Sequence, residues 1–299
     1  MYYDLVAQCA WPAAFLVERE PATWMWDGLQ RMFPSPLAAA LMPNHLHLLT
    51  ALEDPVAAHA CFRRLLASFA RSFELPTLWS SVPEPKLIPT PDKLLRQVRY
   101  IGLNPCRPVR VGRLEVQLVT DPLRYEWSTH RDAVGAIADP WVTAQTILAA
   151  CVVDAADPGA WLHRYVSSDP HVAVTGTPMP VGGLPATIDE ARVAACAAHR
   201  ADADTVRRRG PVRATFLGLV AAAGLDLAAA CAEARIEQRS GRVAPAPPHA
   251  ALLCAGDERL RVRTSWTPPA DSRAAGLREL QALAARRPRP PVDKGPRNQ

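Results

Sequence analysis

A chain of 299 residues, 49% of them hydrophobic and with a net charge of +5, is long enough to bury one sizeable core and a smaller second one. Its seven cysteines are scattered without a Cys-x-x-Cys pair, which argues against a disulfide scaffold or a cysteine-held zinc site and fits a reducing cytoplasm. No basic-then-apolar leader opens the chain, and the apolar stretch from Leu37 to Leu52 is interrupted by Pro43, Asn44, His45 and His47, so a soluble, cytoplasmic protein is expected rather than a membrane span.

The first element, Tyr3 to Ala10, has a strand-like pattern. A second strand is predicted over Leu41 to Leu49. Because strand side chains alternate faces, His45 and His47 point the same way with Cα atoms about 7 Å apart, leaving Met42, Asn44, Leu46 and Leu48 for the opposite, apolar face. Two imidazoles so placed either hold one divalent ion or are hydrogen-bonded structural histidines. A helix runs from about Val56 to Phe73. The next helix opens with Thr90 as N-cap and Pro91 in its first turn, and stops near Asn104 because Pro105 disfavours helical geometry in the residue before it. Leu94, Val98 and Ile101 form its apolar stripe, while Lys93, Gln97, Tyr100 and Asn104 line a different face, with Tyr100 and Asn104 roughly 6 Å apart along the axis. Alone, Tyr100 reads as a packing residue; beside a histidine pair it becomes a candidate nucleophile.

Basic residues crowd the same region, with Arg63, Arg64, Arg71, Lys86, Lys93, Arg96, Arg99, Arg107, Arg110 and Arg113 separated by few acids. A surface that tracks phosphates has this composition, and so does a set of ordinary solvated faces. Farther on, Ser167 to Pro185 reads as a linker. Alanine-rich helices are predicted over Ile188 to His199, Thr205 to Ala223, and through Ala234 after the turn at Gly224-Leu225. They loosely resemble helix-turn-helix modules such as that of a replication initiator, and fit a plain three-helix packing unit equally. After about Ser240 the sequence is rich in proline and arginine and reads as a largely disordered tail, with short strand-like (Ala251 to Cys254) and helical (Ala274 to Ala285) patches.

Three ordered segments resemble the single-tyrosine HUH transposases, in particular the REP-associated tyrosine transposases. Met42-Pro43-Asn44-His45-Leu46-His47-Leu48-Leu49 matches that family's histidine strand, and Tyr100-Ile101-Gly102-Leu103-Asn104-Pro105-Cys106-Arg107 its tyrosine helix. Tyr125 to Arg131 fills the slot of its Trp-Ser-Ser/Thr-x-Arg segment, and Pro140 to Thr143 and Trp161 to Val166 look like its later region, so the resemblance covers about residues 1 to 170. Two departures stand out. The basic turn expected after the first strand is missing, and Leu78 to Lys86 replaces a basic segment of which only Lys86 survives.

The resemblance implies an α+β fold with a ferredoxin-like antiparallel sheet, the histidine strand central, followed by a small all-α C-terminal domain. The parts would be a catalytic domain at 1–135, a helical extension at 136–170, a linker at 171–187, a helical and candidate DNA-binding domain at 188–240, and the tail at 241–299. It further implies a metal-dependent endonuclease and strand transferase acting on single-stranded or hairpin DNA through a 5′-phosphotyrosine link. In that reading Tyr100 is the nucleophile, and His45, His47 and Asn104 hold Mg²⁺ or Mn²⁺. Lys86, Lys93, Arg96, Gln97, Arg99, Arg107 and Arg110 are the candidates for DNA contact. The implied protein works as a monomer or homodimer and is nucleoid-associated when bound to DNA. Two rivals are a domesticated, noncatalytic DNA-binding protein of the same fold and an unrelated metal hydrolase. The hydrolase lacks support, since Leu49 stands where a third histidine in step would fall.

Overall fold

In a computed structural model, residues 1–10, 18–75, 77–111, 114–172, 174, 177–235 and 244–263 are described. The first seven elements are β1 (Tyr2–Cys9), α1 (Arg19–Met32), β2 (Pro36–Met42), β3 (His45–Ala51), α2 (Pro55–Ser72), β4 (Trp79–Ser81) and β5 (Lys86–Ile88). All pairings in their sheet are antiparallel, in the order β2-β3-β1-β4, with β5 pairing the other end of β1. The expected α+β architecture is present, and the histidine strand lies inside the sheet between β1 and β2.

Alternation along β1 and β3 assigns the two faces. Leu5, Ala7, Leu46 and Leu48 join Met25 and Leu29 of α1 and Phe62 and Phe69 of α2 in one core. Ala38, Ala40 and Leu49 face the other way, in a core with Leu94, Val98 and Ile101 of α3 (Pro91–Leu103), the stripe expected from the sequence. Helix ends follow local chemistry. Asp54 Oδ1 accepts from the Val56 and Ala57 N–H groups at 2.9 Å to open α2, and Thr90 Oγ1 accepts from the Lys93 N–H at 3.4 Å to open α3.

After α3 come the hairpin β6 (Val109–Val111) and β7 (Leu114–Val116), then α4 (His130–Ala133), α5 (Ala144–Ala150) and α6 (Pro158–Ser167). The Tyr125–Arg131 segment covers the edge of β2. The Leu41 N–H donates to Trp127 O and the Thr129 N–H to Ala39 O, both at 2.9 Å, while the Tyr125 hydroxyl donates to Leu41 O. An edge left open would offer its backbone groups to other chains, so this segment does structural work.

A further core gathers Leu123, Val134 and Ala136 with helices α7 (Ile188–Ala198), α8 (Pro211–Ala222), α9 (Leu227–Glu233), α10 (His249–Gly256) and α11 (Glu258–Arg261). Residues 203–207 form a 3-10 turn, so α8 begins at Pro211, later than the Thr205 expected from the sequence. Ala251 to Cys254 is helical within α10, where a strand was expected, because Pro248 starts a helix whose Ala250, Ala251, Leu253 and Cys254 are all buried. The predicted Ala274–Ala285 helix lies outside the described residues. Small residues let the proline-rich stretch dock. A Cβ on Gly218 of α8 would lie 2.4 Å from Pro245 O, and one on Gly256 would lie 2.3 Å from Val181 O, so only glycine permits these backbone approaches.

Arg131 joins this core to the sheet's covering segment. Its guanidinium, 2% exposed, donates to Leu123 O at 2.8 Å, Leu260 O at 3.0 Å, Arg259 O at 3.1 Å and Val262 O at 3.2 Å. Burial lowers its pKa to about 10, which still leaves it charged at neutral pH. Nearby, Arg200 bridges Asp132 at 2.5 Å and donates to Ser128 O at 3.0 Å. Arg131→Met removes the donors to four carbonyls, those of Leu123 and Leu260 buried, so a loss of roughly 3 kcal/mol is expected in urea unfolding, along with faster proteolysis of the 244–263 segment.

Behind α3, His130 and His163 form a buried pair, with Nε2 of His130 3.0 Å from Nδ1 of His163. His163 Nε2 faces the carbonyls of Thr177 and Pro178 at 3.1 Å and so carries the proton, which makes Nδ1 an acceptor and His130 Nε2–H its donor. Burial lowers the pKa of both rings, and for His130 the charge on His163 lowers it further. The unfolded rings therefore bind protons that the folded ones refuse, so the stability from this pair is whole above about pH 6.5 and falls as the pH drops below it. Guanidinium unfolding at pH 7 and pH 5 is expected to show that loss, and His130→Gln, which cannot titrate, is expected to reduce it, leaving the part that His163 contributes.

Candidate functional site

Three elements meet at the end of the sheet that faces α3. β3 carries His45 and His47, the neighbouring β1 carries Asp4, and α3 with the 3-10 turn after it carries Gln97, Tyr100 and Asn104. In the β1–β3 register Val6 lies opposite His47 and Asp4 opposite Leu49, which makes Asp4 the diagonal neighbour of His47 on the same face.

His47 Nδ1 lies 3.2 Å from both oxygens of the buried Asp4 carboxylate, and Gln97 Nε2 donates to Asp4 Oδ2 at 2.8 Å. His45 Nδ1 faces Asn44 Oδ1 at 2.7 Å. An acceptor at each Nδ1 places the proton there and leaves each Nε2 with its lone pair. Asn44, expected on the apolar face of the strand, instead sits in the hairpin turn, where its side chain reaches back to orient His45. The side-chain amide of Asn104, 4% exposed, reaches His45 Nε2 at 2.8 Å. Burial lowers the His45 pKa to about 3, helped by the nearby His47 charge and opposed by the bond from Asn104, so the ring is neutral at pH 7.

Tyr100 stands one turn before Asn104 and is 39% exposed. Its ring meets His47 edge to face, with centroids 5.6 Å apart, and the two histidine rings are 5.1 Å apart. The Arg107 guanidinium lies 5.1 Å from the Tyr100 ring centre. Arg107 and Arg99 both reach Asp169, at 3.2 and 3.4 Å. Burial pushes the Asp169 carboxyl up, but the His171 backbone N–H and the two guanidinium charges outweigh it and hold the group below the usual carboxylate range.

Each imidazole has its Nδ1 against an acceptor, but the two Nε2 atoms differ: the His45 Nε2 lone pair accepts from the Asn104 amide Nδ2 at 2.8 Å, so a metal held by both groups requires the amide to turn its oxygen toward the site. Among the described residues no three His, Cys, Asp or Glu side chains form a metal-holding group, since the carboxylate near the histidines is engaged at Nδ1.

The four residues His45, His47, Tyr100 and Asn104 lie side by side. The basic candidates divide. Lys86, Lys93 and Arg96 are exposed, Gln97 turns inward to Asp4, and Arg99 and Arg107 share Asp169; the Arg110 side chain lies outside the described residues. In the predicted helix-turn-helix, α9 carries only Leu227, Ala228, Ala229, Ala230, Cys231, Ala232 and Glu233, a set with no basic or amide side chain to read a base edge. Sequence reasoning assigned Asp4 no role, although an acid inside an apolar alternation is a visible signal. Comparison with protein-family models, curated proteins and solved structures finds no match.

Asp4→Ala removes the shared acceptor of His47 and Gln97 and is expected to cost about 2 kcal/mol in chemical unfolding. Asp4→Asn keeps an acceptor and is expected to cost less.

Proposed function

We propose that this chain is a metal-dependent single-stranded DNA endonuclease and strand transferase of the HUH single-tyrosine transposase kind, built on a ferredoxin-like sheet. The observation that carries the reading is the meeting of an exposed phenol with two oriented imidazoles and a buried amide, contributed by β3 and the end of α3. The sheet order β2-β3-β1-β4, with α1 between β1 and β2 and α2 between β3 and β4, also supports it.

In this reading the Tyr100 oxygen attacks the scissile phosphorus and the bond to the 3′ oxygen breaks. The phenolic proton passes to solvent, and the departing oxygen takes up a proton to become a 3′-hydroxyl, leaving a 5′-phosphotyrosine that a hydroxyl later reverses. Mg²⁺ or Mn²⁺ held by His45, His47 and Asn104 would polarise the phosphate and neutralise developing charge. Asp4 keeps the His47 ring in the tautomer whose Nε2 faces the site, and Gln97 holds Asp4 in turn. Arg107, against the Tyr100 ring, supplies positive potential beside the attacking oxygen as it loses its proton. Of the partners implied, single-stranded or hairpin DNA belongs to this reading, as does a nucleoid location when bound.

A second reading, a noncatalytic DNA-binding protein that keeps the fold, draws on the absence among the described residues of a His, Cys, Asp or Glu triad for a metal. One experiment separates the two. Purified protein incubated with labelled single-stranded hairpin DNA and Mn²⁺ is expected to give a covalent adduct on a denaturing gel, abolished in Tyr100→Phe and by EDTA. Binding without an adduct, unchanged in Tyr100→Phe, would overturn the nuclease reading in favour of the binder.

A further inference from the structure

Helix α6 lies alongside α3 and presents two aromatic rings one turn apart, Trp161 and Tyr165, stacked with centroids 5.3 Å apart and planes 12° from parallel. The Arg99 guanidinium lies 4.6 Å from the Tyr165 ring centre, Asp169 links Arg99 to Arg107, and Arg107 stands over Tyr100. The result is an unbroken row of planar groups from the candidate nucleophile to α6. At the far end of the row, Trp161, Arg164, Tyr165 and Ser168 line an open cleft of about 680 Å³ whose other wall is the 177–179 segment. That volume lies within the range of about 300 to 1,000 Å³ typical of sites for small organic groups.

We infer that this cleft seats an unpaired base of single-stranded DNA to one side of the phosphate attacked at Tyr100, by stacking on the face of Trp161 turned away from Tyr165, with the backbone following Arg164, Arg99 and Arg107. The inference rests on the proposed nuclease reading for the polarity of the strand, and the chemistry of the cleft supports it independently. Stacked aromatic rings accept any base face, and guanidinium groups pair with both rings and phosphates. Charge agrees. Asp169 offsets one of its two arginine partners, while Arg164 is exposed and Arg96 lies near enough for its charge to act on Tyr165, so the row is net cationic. A double helix has no free base face to offer, so the site selects single strands.

The test needs no cleavage. Full-length protein in EDTA is titrated into a 5′-fluorescein oligothymidylate and followed by fluorescence anisotropy. Trp161→Ala is expected to weaken binding on the order of tenfold, Trp161→Phe to restore most of it, and Arg164→Glu to weaken binding and reduce its salt dependence. A probe with abasic sites in place of the thymines is expected to bind wild type and Trp161→Ala alike. The inference is overturned if folded Trp161→Ala binds within about twofold of wild type, or if the abasic probe binds wild type as tightly as the thymine probe. Should Trp161→Ala fail to fold, Arg164→Glu, whose side chain is exposed, and the abasic comparison decide by the same criteria. Trp161-dependent binding in EDTA, together with no Tyr100 adduct when the same protein meets hairpin DNA in Mn²⁺, would overturn the nuclease reading and leave the base site standing.

Discussion

The site depends first on the Asp4 carboxylate, a buried acid in the middle of an apolar strand. Burying a carboxylate is costly unless its lone pairs are used, and here His47 and Gln97 use them. Those two bonds tie β1, β3 and α3 together at one point, so the register of the sheet and the rotation of the helix are set by the same group. They also hold one ring nitrogen protonated, which turns the other into an electron-pair donor aimed at the site.

The helices distal to the sheet are joined to it by charge placed deep in the molecule. Arg131 gives its donors to backbone carbonyls, and Arg200 pairs with Asp132 while lying 4.8 Å from the Trp26 ring centre. Because a guanidinium offers five donors in a rigid fork, one buried arginine can satisfy carbonyls from segments far apart in sequence. Alanine and glycine make the closeness possible. In α7, Ala191, Ala194, Ala195, Ala197 and Ala198 are buried, and they let neighbouring backbones approach more closely than larger side chains would.

Much of the site was readable because it is local. The alternation in β3 put His45 and His47 on one face, and the Thr90-Pro91 start and Pro105 stop set α3 so that Tyr100 and Asn104 fall one turn apart. What could not be read depends on pairing between distant segments. Asp4 acquires meaning only once β1 lies antiparallel to β3 in a register that makes it diagonal to His47. The Tyr125–Arg131 segment was legible only as a motif, whereas in the fold its backbone covers the β2 edge and its arginine holds the α11 region. The 249–261 helices were hidden because composition near prolines signals disorder, whereas docking turns on two glycines that let backbones touch. The basic cluster misled in part, since counting arginines says nothing of the Asp169 that engages two of them.

The contrast between Tyr100 and Asn104 follows from where α3 ends. Along α3, Leu94, Val98 and Ile101 are buried while Lys93 and Tyr100 stay exposed, and in the turn that follows Asn104 is buried with its amide at His45. That placement gives each what its proposed role requires. A ligand must be held in place and shielded from competing water, whereas a nucleophile for a polymer must stand at the rim, because a DNA strand can pass over a surface but cannot enter a closed cavity. Arg99 of the same helix lies against Tyr165 of α6, so the helix that exposes the phenol also builds the cationic, aromatic path leading to it.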